Sequence, residues 1–591
     1  MWYKDRGWDL FIKYIKFARF ILILSFTLIL SRVFQIQVFK GYRFSKKSQE
    51  NYLKKFIIAP KRGNMVSSDG EILATTYVSY NLVSQSPPTD SILEELSSIT
   101  GVPVKKMKQN ICEAQRKKEI LVTLANDLKG RPLIAVASRI DEYPDLRIIK
   151  APKRFYPYEK IFSHVTGYLG EPTKSEISEM PYSYTGSLHG QSGIEKTYDK
   201  YLFGKAGGEI VEVTASGNIV EVKGSVPPSS GDEVRLTVDS RLQRAAFEAF
   251  NGRPGAAIAL NPKTGAIRLL VSSPGFKPSV FVDRSEEVAR LMTAPEIPLV
   301  NRAIQMKYPP GSAFKIITSA AALSEGCIKT DTQFECDGIF EYADREFKCW
   351  KEEGHGIMDF MQGFANSCNI YFYNVGLKTG GENLSKYAKM MGLDLNVFED
   401  ISGELESTIP GPAWKKKKLK RGWWNGDSIN MAIGQGFLWV TPMQMALVVS
   451  GLATRGVIYK PYIVEKVISA ENDIEYASKP EIAREYKLSD RTFELLKKAM
   501  RKTVLEGTGR ILDIKDYEIY GKTGTAQNPN GEDHGWFVSY GGGALSDFCL
   551  VVVVEHGGMG SVSAGPIARI VWDEYIKIKA DAGQEKVNEK N

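Results

Sequence analysis

The chain has 591 residues, of which 43% are hydrophobic and 25% charged, and its formal net charge is +8. This length predicts two or more domains, and this composition is typical of globular protein with large cores. The charge is modest for the size, and no basic segment alternates with aromatic residues, so the composition excludes a typical nucleic-acid-binding protein.

The N-terminus contains the one candidate membrane span in the sequence, at 17–39. Its uninterrupted apolar part, 20–30, is too short for a bilayer, which needs about 20 residues. The span reaches that length at Val38, provided that Arg32 snorkels or faces a partner helix. The segment is therefore predicted to be a transmembrane anchor.

Basic residues before the span predict its orientation. They are Lys4, Arg6, Lys13, Lys16 and Arg19. We therefore expect residues 1–16 to form a cytoplasmic tail and everything after about residue 40 to lie outside the cytoplasm. A cleaved signal peptide is the alternative, but no small-x-small cleavage site follows the apolar core, so an uncleaved single-pass anchor in the cytoplasmic (inner) membrane is favoured.

Residues 45–235 are irregular and strand-rich, with glycine-containing phrases at 62–74 and 164–196. None of these phrases has an obvious catalytic constellation, so the region is predicted to be a non-catalytic spacer. A short helix at 241–250 precedes the next domain.

The pattern becomes regular from Gly255 onward. A hairpin is predicted at 256–260 and 266–272, and a helix at 491–506. Three later strands are predicted at 517–527, 536–540 and 548–555. Because the intervening sequence is mostly helical, we expect an antiparallel sheet whose edge is completed by the hairpin, with helices on its faces. The charged tail from Lys577 is predicted to be disordered.

The stretch Tyr308-Pro309-Pro310-Gly311 cannot propagate a helix, whereas the Ala- and Leu-rich run after it predicts a helix from Ser312 to Gly326. Ser312 and Lys315 then lie one turn apart on the same face. Burial and the positive helix end both favour a neutral lysine that can take the serine proton, and the same helix end offers N–H groups to an oxyanion. A serine N-cap beside a solvated lysine is the alternative.

Two further motifs occur downstream in suitable elements. Ser367-Cys368-Asn369 follows a predicted helix that begins near Met358, and Lys522-Thr523-Gly524-Thr525 lies on the first late strand. Lys-Thr-Gly occurs three times, but 263–265 is a predicted hairpin turn and 378–380 closes a predicted helix. Only the copy at 522 continues as Thr-Ala-Gln on a strand.

With the order Ser-x-x-Lys, Ser-x-Asn and Lys-Thr-Gly, the chain resembles the penicillin-binding proteins. The flanking phrases at 301–303, 424–428, 434–444 and 534–538 carry the same resemblance. The phrases at 62–74 and 164–196 resemble the non-catalytic domain of class B members, so the likeness covers nearly the whole chain. We see no glycosyltransferase domain, which argues against class A.

The resemblance implies an α+β multidomain protein with a single N-terminal transmembrane helix, a strand-rich pedestal and a C-terminal transpeptidase domain similar to the serine β-lactamases. The expected boundaries are a cytoplasmic tail at 1–16, the anchor at 17–39, a dimerisation-type pedestal at 40–235, the transpeptidase domain at 236–576 and a disordered tail at 577–591.

The resemblance also implies residue roles in acyl transfer. Ser312 would attack the penultimate D-Ala carbonyl of a peptidoglycan stem peptide, and Lys315 would take its proton. Ser367 would pass that proton to the departing D-Ala, while Asn369 would hold Lys315 and the substrate amide. No cofactor is required for this chemistry, and β-lactams would trap the serine.

The third motif would bind the terminal carboxylate of the substrate. Lys522, Thr523 and Thr525 supply the charge and the hydroxyl groups, and Gly524 lets the substrate backbone approach the strand. The backbone N–H groups of Ser312 and Thr525 would form the oxyanion hole.

Four potential metal ligands, Cys336, Cys349, His355 and Cys368, fall in one window. Some elongation-type members of the family resemble this window in that a zinc is held there by His, Cys and acidic residues. This chain would have Cys at positions where those relatives have Asp. A structural zinc is one interpretation. A Cys336–Cys349 disulfide and unpaired buried thiols are the others.

The expected function is a class B transpeptidase of the elongation type, similar to penicillin-binding protein 2, with a polytopic membrane glycosyltransferase as partner. The alternatives are a division-type transpeptidase, a β-lactam-binding sensor or scaffold without cross-linking activity, and a β-lactamase. The densest basic run, 415–421, indicates first a solvated loop and second a contact with anionic lipid or polymer.

Overall fold

The computed structural model describes residues 5–43, 52–117, 121–180, 182–184, 186–213, 219–283, 286–529 and 531–588. The chain divides into two units, Met1–Pro60 with Lys205–Ser229, and Lys61–Gly204 with Ser230–Asn591.

The first unit contains the apolar N-terminal helix, which runs over Asp5–Phe34 and continues as a π-helical turn, Gln35–Phe39. By length and composition, Gly7–Phe39 is suited to cross a membrane. The predicted span 17–39 lies inside this helix, which starts earlier because no glycine or proline interrupts residues 8–40. Lys4 of the predicted tail lies outside the described residues.

The first unit also holds a three-stranded antiparallel sheet. Its strands, in spatial order, are Leu53–Ile58, Gly207–Val213 and Ile219–Val226.

The second unit begins with the region predicted to be a spacer, which is built on a seven-stranded sheet. The strands lie in the order Ile474–Ala477, Val464–Ile468, Glu233–Leu236, Met65–Val66, Ile72–Ser84 and Val122–Leu128, with Leu146–Phe155 also paired to Ile72–Ser84. Val234 pairs with Met65 on one side and with Val467 on the other. The sheet therefore runs across the predicted boundary at 235 and recruits strands from the C-terminal half.

Helices and short elements complete this region. The helices are Asp90–Thr100, Val104–Lys117, Gly130–Ala137, Ser163–Thr166, Lys174–Glu179, Gly193–Thr197 and Asp199–Leu202, and a short hairpin joins Leu169–Gly170 to His189–Gly190.

A buried charge cluster ties the glycine-containing phrases together. The Arg62 guanidinium lies 2.5 Å from Glu195 Oε2 and 2.7 Å from Asp199 Oδ1, and Arg154 Nε lies 2.7 Å from Glu195 Oε1. Buried charges are tolerated when they are paired and hydrogen-bonded, so the residues of this cluster have a structural role.

The predicted antiparallel sheet of the C-terminal half is present, with five strands. Their order is Ile267–Ser273, Gly255–Leu260, Cys549–Val554, His534–Gly541 and Ile519–Ala526, so the hairpin forms one side of the sheet as expected. The last of these, Ile519–Ala526, is called the edge strand below. Val551 and Val553 face one core while Val552 and Val554 face the other, which explains a four-valine run buried on both faces.

Helices cover both faces of this sheet. Ser240–Phe250 and Gly560–Asn588 pack on one face, and Lys315–Ser324, Asn369–Met390 and Pro442–Ala453 belong to the core on the other. The predicted disorder from Lys577 is wrong over the described residues, because the last helix continues to Asn588. Its residue Ile578 packs on the core beside Trp572 and Tyr575, and Lys579 pairs with Asp547. Residues 589–591 of the predicted tail lie outside the described residues.

Further helices and paired strands complete this half. The helices are Ser279–Val282, Glu287–Thr293, Phe360–Ala365, Pro412–Leu419, Asn425–Ala432 and Asp490–Leu505. The paired strands are Phe334–Cys336 with Gly356–Met358, Ile339–Tyr342 with Arg345–Lys348, and Val457–Tyr459 with Ile482–Glu485.

Candidate active site and metal centre

Ser312 lies in a 3₁₀ turn, Gly311–Phe314, that precedes the helix Lys315–Ser324. The predicted start of the α-helix at Ser312 is therefore wrong, whereas its predicted stop at Gly326 is confirmed, since the helix ends at Ser324 and Gly326 has φ +68°. Gly311 has φ +53°, its N–H donates to the Gly434 carbonyl at 3.0 Å, and an added Cβ would lie 2.5 Å from the Thr525 carbonyl oxygen. A backbone that is clamped this closely on two sides admits only glycine, so the turn is held against the edge strand.

Lys315 is fully buried, and its ammonium contacts the second motif. Nζ donates to the Ser367 carbonyl and to Asn369 Oδ1, both at 2.8 Å, and lies 3.3 Å from Ser367 Oγ. Burial lowers the pKa of Lys315 to about 8, and the nearby thiols of Cys368 and Cys349 act in the opposite direction. At this pKa about a tenth of the amine is neutral at pH 7, and the fraction rises with pH.

Ser367 has φ +54°, in the left-handed region, although it is not glycine. The helix Phe360–Ala365 begins at an Asp359 capping box, close to the predicted start near Met358. The turn after this helix directs both the carbonyl and the hydroxyl of Ser367 toward Lys315. Such a conformation costs about 1–2 kcal/mol, and strain of this kind is concentrated at functional sites.

Asn369 opens the next helix, whose N-cap is Cys368, with Sγ accepting from the Tyr371 N–H at 3.4 Å. The helix predicted to close at 378–380 does end there, because Gly380, with non-helical φ +74° and ψ 156°, separates two helices within Asn369–Met390.

Lys522 lies on the edge strand, is fully buried and donates to the Thr523 carbonyl at 3.2 Å. Burial lowers the pKa of Lys522 well below its usual range, and the charge of Lys315 lowers it further. Gly524 faces the turn, since a Cβ there would lie 3.0 Å from the Pro310 carbonyl and 2.8 Å from Trp536 Cβ. The edge strand thus lies directly against the segment that carries Ser312.

Thr508 was missed by the sequence reasoning. Its Oγ1 lies 2.5 Å from Thr523 Oγ1, and its N–H donates to the Ala365 carbonyl at 3.2 Å, two residues before Ser367. Thr508 therefore connects the second motif with the third. The available signal was the Gly-Thr-Gly phrase 507–509 between a helix and the edge strand.

Gln435 also contacts the site, because its Nε2 lies 3.5 Å from the Thr525 carbonyl. Trp350, which the sequence reasoning did not select, donates from Nε1 to the Asn366 carbonyl at 3.1 Å. These two contacts support the backbone at Thr525 and at Asn366. Lys315, Ser367 and Lys522 are buried, and Ser312, in the turn that precedes Lys315, is partly exposed.

The four predicted metal ligands lie together. The ligand atoms of Cys336, Cys349, His355 and Cys368 are all within 4.8 Å of one another. Cys336 Sγ and Cys349 Sγ each lie 3.5 Å from His355 Nδ1. The tight turns between short strands bring these residues together, with Gly354 and Gly356 both at positive φ.

The donor set fits zinc. A tetrahedral ion bonded to sulfur at about 2.3 Å and to nitrogen at about 2.05 Å would separate those atoms by about 3.6 Å, close to the two measured separations. All six cysteines are free thiols in the structure. His355 Nε2 is buried without a hydrogen-bond partner among the described residues, and the Trp350 ring packs edge-on against the imidazole.

Two family models match the chain. A model of the penicillin binding protein transpeptidase domain matches residues 255–573, and a model of the penicillin-binding protein dimerisation domain matches residues 57–236. The second model covers most strands of the seven-stranded sheet, and the first covers the five-stranded sheet.

Among curated proteins, a peptidoglycan D,D-transpeptidase MrdA of Acinetobacter baumannii is 29% identical over 587 residues, covering 95% of this chain and 87% of the relative. A chain of a solved peptidoglycan synthase complex that coordinates polymerization and crosslinking is 26% identical, with a TM-score of 0.72 and coverage of 95% and 98%. Penicillin-binding protein 2 in complex with MreC from Helicobacter pylori, at 24% identity, TM-score 0.73 and coverage of 88% and 99%, shares the fold.

Proposed function

The chain belongs to the penicillin-binding protein transpeptidase family, and on that premise we propose that it is a peptidoglycan D,D-transpeptidase that cross-links stem peptides through an acyl-enzyme at Ser312. One observation carries this proposal. Ser367 and Asn369 converge on Lys315 Nζ, beside an edge strand that contributes Lys522 and packs on the Ser312 turn.

The nucleophile is Ser312, and its base is the neutral form of Lys315. As Ser312 Oγ bonds to the penultimate D-Ala carbonyl carbon, its proton moves to Lys315 Nζ. When the amide C–N bond breaks, the proton passes by way of Ser367 Oγ to the nitrogen of the departing D-Ala. Asn369 Oδ1 keeps the amine in position for both transfers, since it accepts from Nζ at 2.8 Å.

The terminal carboxylate of the substrate binds at the edge strand, to Lys522 and the hydroxyl groups of Thr523 and Thr525, where Gly524 allows close approach. The carboxylate offsets the burial that depresses the pKa of Lys522, so Lys522 becomes charged.

The backbone N–H groups of Ser312 and Thr525 form the oxyanion hole, where each donor is worth about 3–4 kcal/mol in the transition state. In the second half-reaction, the amine of another stem peptide attacks the acyl carbonyl and releases Ser312 Oγ, which regains its proton. β-Lactams enter the same site and leave a stable acyl group on Ser312.

The biological setting that we propose is cell elongation and rod-shape maintenance. Support comes from the cysteine–histidine window, the phrase at 534–538 and the relative named MrdA. A polytopic membrane glycosyltransferase is the proposed partner, by analogy with the solved synthase complex. The anchor would place the chain in the inner membrane with its catalytic domain outside the cytoplasm, as the basic residues before the span predict.

A structural zinc ion held by Cys336, Cys349, His355 and Cys368 is part of the proposal. When bound, zinc would supply a structural brace and no acid–base step. Cys368 lies between Ser367 and Asn369, so its thiolate would fix the turn that presents both residues to Lys315.

The test uses the full-length protein in detergent. Fluorescent penicillin should label wild type covalently and should not label Ser312→Ala, and wild type alone should cross-link peptidoglycan strands. Labelling that survives Ser312→Ala would remove Ser312 as nucleophile. Labelling of wild type without cross-linking would indicate the sensor or scaffold function instead.

A further inference from the structure

A group of exposed cations lies on the helix Pro412–Leu419 and the turn after it. The group is Lys416, Lys417, Lys418, Lys420 and Arg421, called the basic patch here. None of the five makes an ion pair within the part of the chain that the structure describes, whereas the neighbouring Lys415 is buried and pairs with Asp427 at 2.5 Å.

The repulsion among the charges of the patch is only partly offset by their position at a helix C-terminus. Basic residues in a last helical turn are favourable, but Lys420 and Arg421 lie beyond the helix end. Lys420 has φ +58°, a left-handed conformation that favours glycine. Adjacent like charges repel each other, so an anionic ligand would relieve a cost that the isolated protein bears.

Aromatic contacts join the helix that carries the patch to Phe437. Trp414 and Phe437 have ring centroids 5.6 Å apart, and Lys415 Nζ lies 5.7 Å from the Phe437 ring centre. Phe437 belongs to the stretch in which Gly434 accepts from the Gly311 N–H and Gln435 contacts the Thr525 carbonyl. The helix that carries the patch is therefore connected to the Ser312 turn through Phe437 and the Gly434 segment.

An exposed aromatic residue accompanies the charges. Trp424 is 70% exposed, and its backbone N–H donates to Asp427 Oδ2, the carboxylate that also binds Lys415. The Lys415 side chain and the Trp424 backbone are thus held by the same carboxylate, close in sequence to the patch.

We propose that the basic patch binds the carboxylate-bearing stem peptides of the peptidoglycan strand outside the reacting D-Ala-D-Ala end. The inference rests on the proposed function, since it names a second contact of the same polymer. Charge complementarity supports it, because the strand repeats a free carboxylate with each peptide. The link from Trp414 through Phe437 to the Gly434 segment, which contacts the Ser312 turn, favours the polymer over a phospholipid surface.

The test compares three full-length proteins in detergent, all carrying Ser312→Ala so that no turnover occurs. One is otherwise unchanged. The second has the five patch residues changed to Gln. The third is a charge-matched control with five exposed lysines that make no ion pair among the described residues, changed as Lys105→Gln, Lys106→Gln, Lys479→Gln, Lys487→Gln and Lys498→Gln.

The probes are soluble uncross-linked peptidoglycan strands, native or with their carboxylates amidated. We expect the patch variant to bind native strands about tenfold more weakly than the other two proteins, because several exposed ion pairs of modest strength are lost together. Amidated strands should bind all three proteins equally. Salt should weaken binding less in the patch variant.

Equal affinity of the patch variant and its parent for native strands would overturn the proposal. If the patch variant instead lost binding to vesicles of anionic phospholipid and kept strand binding, the patch would belong to a lipid surface. Penicillin labelling of the patch variant with Ser312 restored should equal wild type, because penicillin does not reach the patch. Absence of labelling in wild type itself would defeat the proposed function, independently of strand binding.

Discussion

Lys315 Nζ and Asn369 Oδ1 lie 2.8 Å apart, although the two residues are separated by more than 50 positions in the sequence. The amine is completely buried, so this contact and those with Ser367 replace the water that an exposed lysine would have. A lysine held in this way can exchange a proton near neutral pH, which is the property that acyl transfer requires.

The first prediction concerns pH. Lys315 has a pKa lowered to about 8 by burial, and only the neutral amine accepts the Ser312 proton. As pH rises through 8, the neutral fraction grows, so the rate constant for penicillin acylation should rise about tenfold between pH 7 and pH 9 and then level off. Stopped-flow acylation at fixed ionic strength measures this profile.

The matched variant for the pH profile is Asn369→Asp. A carboxylate next to Nζ favours the ammonium, so the midpoint should move to higher pH. A rate that falls across this range, or an unmoved midpoint in the variant, would contradict the role of Lys315 as base.

The second prediction concerns Thr508. Thr508→Val removes the hydroxyl that lies 2.5 Å from Thr523 Oγ1 but keeps the shape of the side chain. We expect penicillin acylation efficiency to fall about fivefold to tenfold, the size of one lost hydrogen bond. Thr508→Ser should retain most activity. Equal loss in both variants would point to packing rather than to orientation of the Thr523 hydroxyl.

The third prediction concerns Gly311. Gly311→Ala places a Cβ 2.5 Å from the Thr525 carbonyl oxygen, in addition to the positive φ of +53°. Gly543→Ala is the control, since Gly543 has φ +55° but nothing within 4 Å of the added atom.

The control substitution should cost about 1–2 kcal/mol of stability, the left-handed conformation alone. Gly311→Ala should lower the thermal midpoint further and should abolish penicillin labelling, because the Ser312 turn must move away from the edge strand. Normal labelling of Gly311→Ala would show that the turn is not clamped as described.

The fourth prediction concerns the metal. Purified wild type should contain about one zinc per chain by elemental analysis, as expected for a four-ligand structural site. Cys349→Ser should lose it, while Cys112→Ser, at an exposed cysteine outside the cluster, should keep it. Metal absent from wild type and variant alike would end the zinc proposal.

The zinc prediction has a second readout in stability. A chelator should lower the thermal midpoint of wild type and of Cys112→Ser but leave Cys349→Ser unchanged, because metal binding stabilises only a folded site. A disulfide between Cys336 and Cys349 would instead make the midpoint sensitive to reductant and insensitive to chelator.

Much of the architecture was predictable from local pattern. The hairpin and the three late strands follow from periodicity and turn residues, because those signals act over a few residues. Their ends were misplaced by one or two positions, and the helix over 315–324 starts later than predicted because the chain first forms a 3₁₀ turn against the edge strand. The tail beyond Lys577 was predicted to be disordered from its charge, but a partly apolar helix face packs on the core.

The sequence alone determined which reactive groups are present. They are Ser-x-x-Lys, Ser-x-Asn and Lys-Thr-Gly in that order, each in a suitable element, together with three cysteines and a histidine in one window. Only the tertiary structure decided that Lys315 is buried against Ser367 and Asn369, that Thr508 touches Thr523, and that Val234 joins strands from both halves of the chain. The reason is physical, since pKa shifts, close approach and strand pairing depend on neighbours that are distant in sequence, and a local pattern contains no information about them.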